Sequence, residues 1–222
     1  MKHLLRHKPK EVLENPNESI HRKKGLFPSP PQLPSFLSAP NPLIEVDEHL
    51  QLRPLKLEQV PILFQLIEDN RTYLQEWLPW IEKIQKESDT KQFIRGVRYR
   101  NVYSGRWVYG IWYQDEMVGL LDFNEGKRAM SQVSLGYWIA EKFQGKGIIT
   151  RSVSACLDYL FTQKGLEKVL IKCANNNLKS QAVPNRLNFR WDGMEFEAGT
   201  LQGEEVDILV FAMHGRDWLS QG

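Results

Sequence analysis

The sequence has little cysteine and little net charge, and it has no long apolar run. Cys156 and Cys173 are the only cysteines in 222 residues, and neither has a Cys or His neighbour at metal-ligand spacing. That argues against a zinc site and a disulfide framework. Both thiols fall in apolar periodic runs and read as reduced core residues of a cytoplasmic protein. A formal net charge of +2 is too small for the strong overall electrostatic footprint of a nucleic-acid-binding domain. Nowhere do about 18 apolar residues run together, and the start "MKHLLRHKPK" is basic without the apolar segment of a signal peptide. A soluble, non-secreted protein with no membrane contact is expected. A P-loop, a dinucleotide-binding fingerprint and a solenoid repeat are also missing.

What is present is a core-forming chain with an appendage. The 41% hydrophobic content can bury a sizeable core, and 222 residues suit one compact domain plus an extension. Eight of the twelve prolines lie in residues 1–42, where "LFPSPPQLPSFLSAPNP" has no helical or strand period. That segment carries seven basic and three acidic residues, a surplus of four, so the remainder carries −2. Residues 1–42 therefore read as a basic, Pro-rich arm, either without function or suited to an acidic surface such as RNA, and residues 43–222 as the folded domain.

Periodicity orders the domain. Leu43 to Leu55 reads as a strand, followed by a helix with Val60, Leu63, Phe64 and Ile67 on one face and Pro61 in its first turn. A second helix runs from about Asp89 to Tyr103, with Ser88 or Asp89 as cap. The period then becomes two. Strands are expected at Trp107 to Tyr113, at Met117 to Asn124 beyond a tight turn, and over "QVSLGYWIA". A helix from Ile148 to Gln163 ends near Gly165, the strand "KVLIKCA" comes next, and a short helix follows near Leu178 to Leu187. Two last strands, about Met194 to Glu197 and Val206 to Met213, complete an α+β (mixed α/β) order.

The stretch "EKFQGKGIITRS" joins a strand to a helix. A glycine-rich turn opening a helix leaves several backbone N–H groups unpaired and pointing one way, with the positive end of the helix dipole behind them. That is an anion cradle, in which Gly145 and Gly147 permit close approach, Thr150 offers a hydroxyl and Lys146 offers charge. An ordinary strand-to-helix turn is the alternative.

The context of this turn resembles the acetyl-CoA-binding core of the GNAT acetyltransferases. Gln144 and Gly147 match two of the three positions of Gln/Arg-x-x-Gly-x-Gly/Ala, and Ile149 departs from the third. The likeness covers roughly Leu50 to Ala212. It includes Asn70-Arg71, Trp77-Leu78-Pro79-Trp80 and the Asn177-x-x-Ser180 element, which are similar to the Rim-type N-terminal acetyltransferases of ribosomal proteins. The resemblance implies a mostly antiparallel twisted sheet flanked by helices, acetyl-CoA as co-substrate and no metal. It implies that the backbone from Gln144 through Gly145, Lys146, Gly147, Ile148 and Ile149 to Thr150 holds the pyrophosphate. Pantetheine would lie along Tyr137, Trp138 and Ile139 like an added strand. Ser180 would protonate the departing thiolate, and Asn177 would position pantetheine or the short helix; helix capping is the other reading of both.

The implied acceptor is the α-amine of a protein N-terminus, in a ternary complex; polyamines and antibiotics are the alternatives within the family. Glu76, Glu197 and Glu204 are candidate bases, although solvated carboxylates are common at such places. The chain departs from the family pattern at Asn188-Phe189 and Asp192-Gly193 and places Pro184 inside the short helix. A non-catalytic acetyl-CoA-binding or RNA-associated adaptor is the rival from another class, and a homodimer is what the family suggests.

Overall fold

The computed structural model describes residues 42–104, 107–125 and 131–221. The Pro-rich segment 1–42, apart from Pro42, lies outside the described residues, and so does the contact its charge suggests. The strands are β1 (Ile44–Asp47), β2 (Leu50–Pro54), β3 (Trp107–Tyr113), β4 (Glu116–Glu125), β5 (Gln132–Ile139), β6 (Lys168–Ala174), β7 (Arg190–Leu201) and β8 (Glu204–His214). They form one sheet in the order β1-β2-β3-β4-β5-β6-β8-β7. Every neighbouring pair is antiparallel except β5 with β6. The helices are α1 (Val60–Asp69), α2 (Arg71–Gln75), α3 (Glu87–Ser104), α4 (Ile148–Asp158), α5 (Leu178–Arg186) and α6 (Gly215–Leu219). No helix among the described residues is long and apolar enough to cross a membrane.

Several local expectations are corrected. The span Leu43 to Leu55 is a hairpin and not one strand. The Asp47 carboxylate accepts the His49 N–H at 3.0 Å and turns the chain back, which alternation alone does not reveal. Helix α3 begins before Ser88 and Asp89, so neither is its cap; Asp89 reaches back from inside the first turn to the N–H groups of Gln85 (3.0 Å) and Lys86 (3.1 Å). The helix expected over Ile148 to Gln163 passes into a wider π turn at Tyr159–Gln163, where Leu160 and Phe161 are both buried. The last hairpin is longer than its apolar pattern indicates, with bulges at Trp191/Gly193 and Glu195/Gly199. Asp207 supports the second bulge by accepting the Glu197 N–H at 3.0 Å.

The feature that makes a site is a parting of the sheet. The parallel ladder between β5 and β6 runs only from Gln132↔Lys168 to Leu135↔Ile171, yet β5 continues to Ile139 and β6 to Ala174. β5 stays paired with β4 from Val133 to Ile139. The register of β3 with β4 shifts at Ile111/Trp112, and Gly119 just after it lies against β5 so closely that a Cβ there would stand 2.2 Å from the Trp138 carbonyl oxygen. The Ala140 N–H donates to the Val118 carbonyl at 2.8 Å and fixes the same approach. Backbone groups of Gly136 to Ile139 that face the gap consequently lack β6 as a partner.

Candidate active site

Paired residues of neighbouring strands share a face, so the register sorts side chains at the gap. Leu121, Leu135, Tyr137, Ile171 and Cys173 lie on one face; Asp122, Gly136, Trp138 and Lys172 lie on the other. All of these except Leu121 line one cleft of about 1910 Å³, which therefore runs through the sheet where β5 and β6 separate. Its walls are completed by Trp77, Trp80 and Phe93, by the start of α4, by α5, and by Gly199 to Leu201 of the last hairpin. Trp80 stacks on Phe93 with ring centroids 5.5 Å apart. Arg71 holds the loop that carries these tryptophans, donating to the carbonyl oxygens of Ile81 (3.1 Å) and Ile84.

The turn takes the backbone that its two glycines allow. Gly145 (φ 74°) and Gly147 (φ 70°) take left-handed conformations, Gly147 caps α4, and the space where their Cβ atoms would lie is open. The first-turn N–H groups of Ile148, Ile149 and Thr150 have no partner within the helix. Gln144 accepts the Lys179 ammonium at 2.9 Å, while its own Nε2 is buried without a partner, as is the Trp138 indole N–H. Tyr73 stands at the same corner, with Lys179 5.9 Å over its ring; burial, then the charges of Glu141 and Glu76, push its phenol up. Lys146 is not brought to the cleft wall; its ammonium lies 4.9 Å over the Phe143 ring.

Across the gap, Asn177 caps α5 by accepting the Ser180 N–H at 3.0 Å. Pro184 sits inside this helix and has no N–H for the Ser180 carbonyl, four residues back. The Tyr137 hydroxyl supplies the missing donor, at 2.8 Å. Ser180 Oγ is 3.2 Å from Cys173 Sγ and 3.5 Å from the Tyr137 oxygen. Burial raises the Tyr137 phenol, with Cys173 adding to it, and burial likewise raises the Cys173 thiol, so both stay protonated at neutral pH.

The gap thus brings together Tyr137, Trp138, Ile139, Gln144, Gly145, Gly147, Ile148, Ile149, Thr150, Asn177 and Ser180. Cys173, read from sequence as an inert core thiol, is buried but touches Ser180. Glu76, Glu197 and Glu204 do not line the cleft; Asp89 and Asp122 are the carboxylates that do among the described residues. Tyr73, Asp122 and Lys179 carry no local motif. They are found only by the sheet register or by contacts made across the turn. No group of His, Cys, Asp and Glu side chains among the described residues could hold a metal ion.

Residues 49–190 match a family model described as an acetyltransferase (GNAT) domain. The chain is 30% identical over 169 residues to the ribosomal-protein-serine acetyltransferase of Escherichia coli (strain K12), covering 76% of this chain and 94% of that one. It resembles the structure of a ribosomal L7/L12 alpha-N-protein acetyltransferase in complex with coenzyme A, with a TM-score of 0.74 and 30% identity over 78% of this chain and 98% of the other. The microcin C7 self-immunity acetyltransferase in complex with acetyl-CoA and AMP gives a TM-score of 0.72 and 26% identity, covering 76% of this chain and 94% of that one.

Proposed function

The chain belongs to the GNAT acetyltransferase family, and on that premise we propose that it transfers the acetyl group of acetyl-CoA to the N-terminal α-amine of a ribosomal protein, by direct attack in a ternary complex. The observation that carries this reading is the parted sheet with Ser180 at its edge. The cleft of about 1910 Å³ exceeds the roughly 300–1,000 Å³ of a single-ligand pocket and leaves room for donor and acceptor together. Acetyl-CoA supplies an activated thioester. The residues supply the rest.

The N–H groups at the start of α4 and the open positions over Gly145 and Gly147 suit the pyrophosphate. The unpaired stretch of β5 from Gly136 to Ile139 suits pantetheine as an added strand, and the orphaned polar atoms of Trp138 and Gln144 offer donors beside it. A protonated Cys173 can donate to Ser180 Oγ, which leaves the Ser180 hydrogen for the thiolate that departs. An α-amine, with a pKa near ~8, is already partly neutral at physiological pH, unlike a lysine amine near ~10.4.

The test is thiol release from acetyl-CoA with peptides beginning Ser, Ala or Met, beside spermidine and free lysine, for the intact chain and Ser180→Ala. We expect turnover with one peptide class and a fall of about 100-fold or more in kcat for Ser180→Ala, with acetyl-CoA affinity unchanged. Release with spermidine alone would reassign the acceptor. Tight acetyl-CoA binding with no release on any amine would make the protein an adaptor.

A further inference from the structure

Where the sheet parts, each bank runs on into its own element. β5 leads to the turn at Gln144 and to α4, and β6 leads to Asn177 and α5. The last backbone pair between the banks is Leu135↔Ile171. Beyond it, side chains join them. The Tyr137 hydroxyl donates to the Ser180 carbonyl at 2.8 Å in a partly buried position, and at an exposed position the Lys179 ammonium donates to the Gln144 amide oxygen at 2.9 Å. Lys179 also stands 5.9 Å over the Tyr73 ring, so α2, the turn and α5 meet at this one ammonium. All three residues line the cleft.

The partners of this ammonium set it apart. Arg151 and Lys172, two other cations of the cleft wall, are paired with Asp47 and Glu195. Lys179 has no carboxylate partner among the described residues; an amide oxygen and an aromatic face hold it instead. A buried ion pair here would lock the banks together, and a bond between two neutral groups would tie them weakly. A charged donor on a neutral acceptor at an exposed site lies between the two. It holds the banks, yet it opens without stranding a buried charge, and the flexible lysine stem gives the ammonium room to swing away.

Resting on the acetyltransferase reading above, which runs the donor from the cradle into the gap, we propose that Lys179 and Gln144 form a strap over the outer end of the gap. Lys179 is then a positioning residue that governs how fast acetyl-CoA enters and CoA leaves. With the strap shut, the pantetheine arm passes only end-on beneath it. With the strap open, the arm moves in or out sideways. The same bond is present before and after the donor binds, so it slows both rates together and leaves the equilibrium nearly untouched.

The experiment uses the full chain and follows CoA binding by stopped flow, read from tryptophan fluorescence, since Trp77, Trp80 and Trp138 line the cleft. Wild type, Lys179→Met and Lys179→Arg are compared at low and high salt, with CoA affinity by calorimetry. Lys179→Met keeps the stem and removes the donor; kon and koff should both rise by about fivefold to tenfold, with Kd changed by less than about twofold. Lys179→Arg, which can still donate to the Gln144 oxygen, should stay within about twofold of wild type in both rates. The sign of the kon change is decisive, because loss of a positive charge by itself slows the capture of an anionic donor. A fall in kon, or a rise in koff alone, with weaker affinity and a shallower salt dependence in Lys179→Met would make Lys179 a direct phosphate contact and overturn the strap. Unchanged rates in Lys179→Met overturn it as well. Failure of the wild type to bind CoA at all overturns the donor reading beneath it.

Discussion

Tyr137 touches Ser180 twice, donating to its carbonyl and standing near its hydroxyl, from 43 positions earlier in the chain. The carbonyl bond is the firmer of the two at 2.8 Å. Tyr137→Phe keeps the ring and removes the donor, leaving a carbonyl in a half-buried helix without a partner. The expected loss is about 1–3 kcal/mol of stability, with kcat lowered because Ser180 rides on that helix. Chemical denaturation and steady-state kinetics together check it; unchanged values in both would mean that water takes over the carbonyl. At this scale the sequence was only partly legible. Asn177 and Ser180 stand three apart in a recognisable element, and the structure adds that Asn177 caps the helix through the Ser180 N–H. The service Tyr137 gives to Ser180, and the placing of Asp122 opposite Gly136, depend on strand register, which no local pattern encodes.

Helix α5 is the element in which these residue-scale facts couple. Pro184 removes one helical hydrogen bond and Tyr137 replaces it, so the two residues act as one unit. Pro184→Ala restores an N–H to the Ser180 carbonyl, and Tyr137→Phe should then lose less than it does alone. A double-mutant cycle should give a coupling of about 0.5–3 kcal/mol by urea denaturation. Simple additivity would show that the proline and the tyrosine are unrelated. Element existence was well marked in the chain: alternation revealed β3 to β6, and the 3.6 period revealed α1 and α4. What escaped were features set by side chains closing on the backbone. Asp47 makes two strands of one apolar run, and Asp89 starts α3 early. The parting of β5 from β6 was not read from the chain; the family likeness implied only that pantetheine would lie along Tyr137, Trp138 and Ile139. The close seat of Gly119 on β5 beside the gap needs the neighbouring strand to be seen.

The whole molecule buries several weak acids with their protons on. Burial raises Cys156 and Tyr109 outright, and it raises Cys173 and Tyr137 beside the site. Below about pH 8.5 these groups are neutral both folded and unfolded, so their contribution to stability is fully present. Above it the unfolded chain ionises first and the fold does not, so stability falls as pH rises. The urea midpoint should decline between about pH 8.5 and about pH 10, and Cys156→Ala should decline less steeply over that interval. A flat midpoint in the wild type would count against the burial of these groups.

The strand order carries a further consequence for how the molecule is made. β8 lies between β6 and β7, so β7 reaches the rest of the sheet only through a strand synthesised after it. A nascent chain that ends before Glu204 leaves the edge of β6 bare and β7 with nowhere to pair. Its remaining strands can assemble, but the wall formed by Gly199 to Leu201 has no support. Completion of the sheet and of the cleft wall therefore waits on β8. Premature termination there should send the product to proteolysis instead of yielding a weaker enzyme.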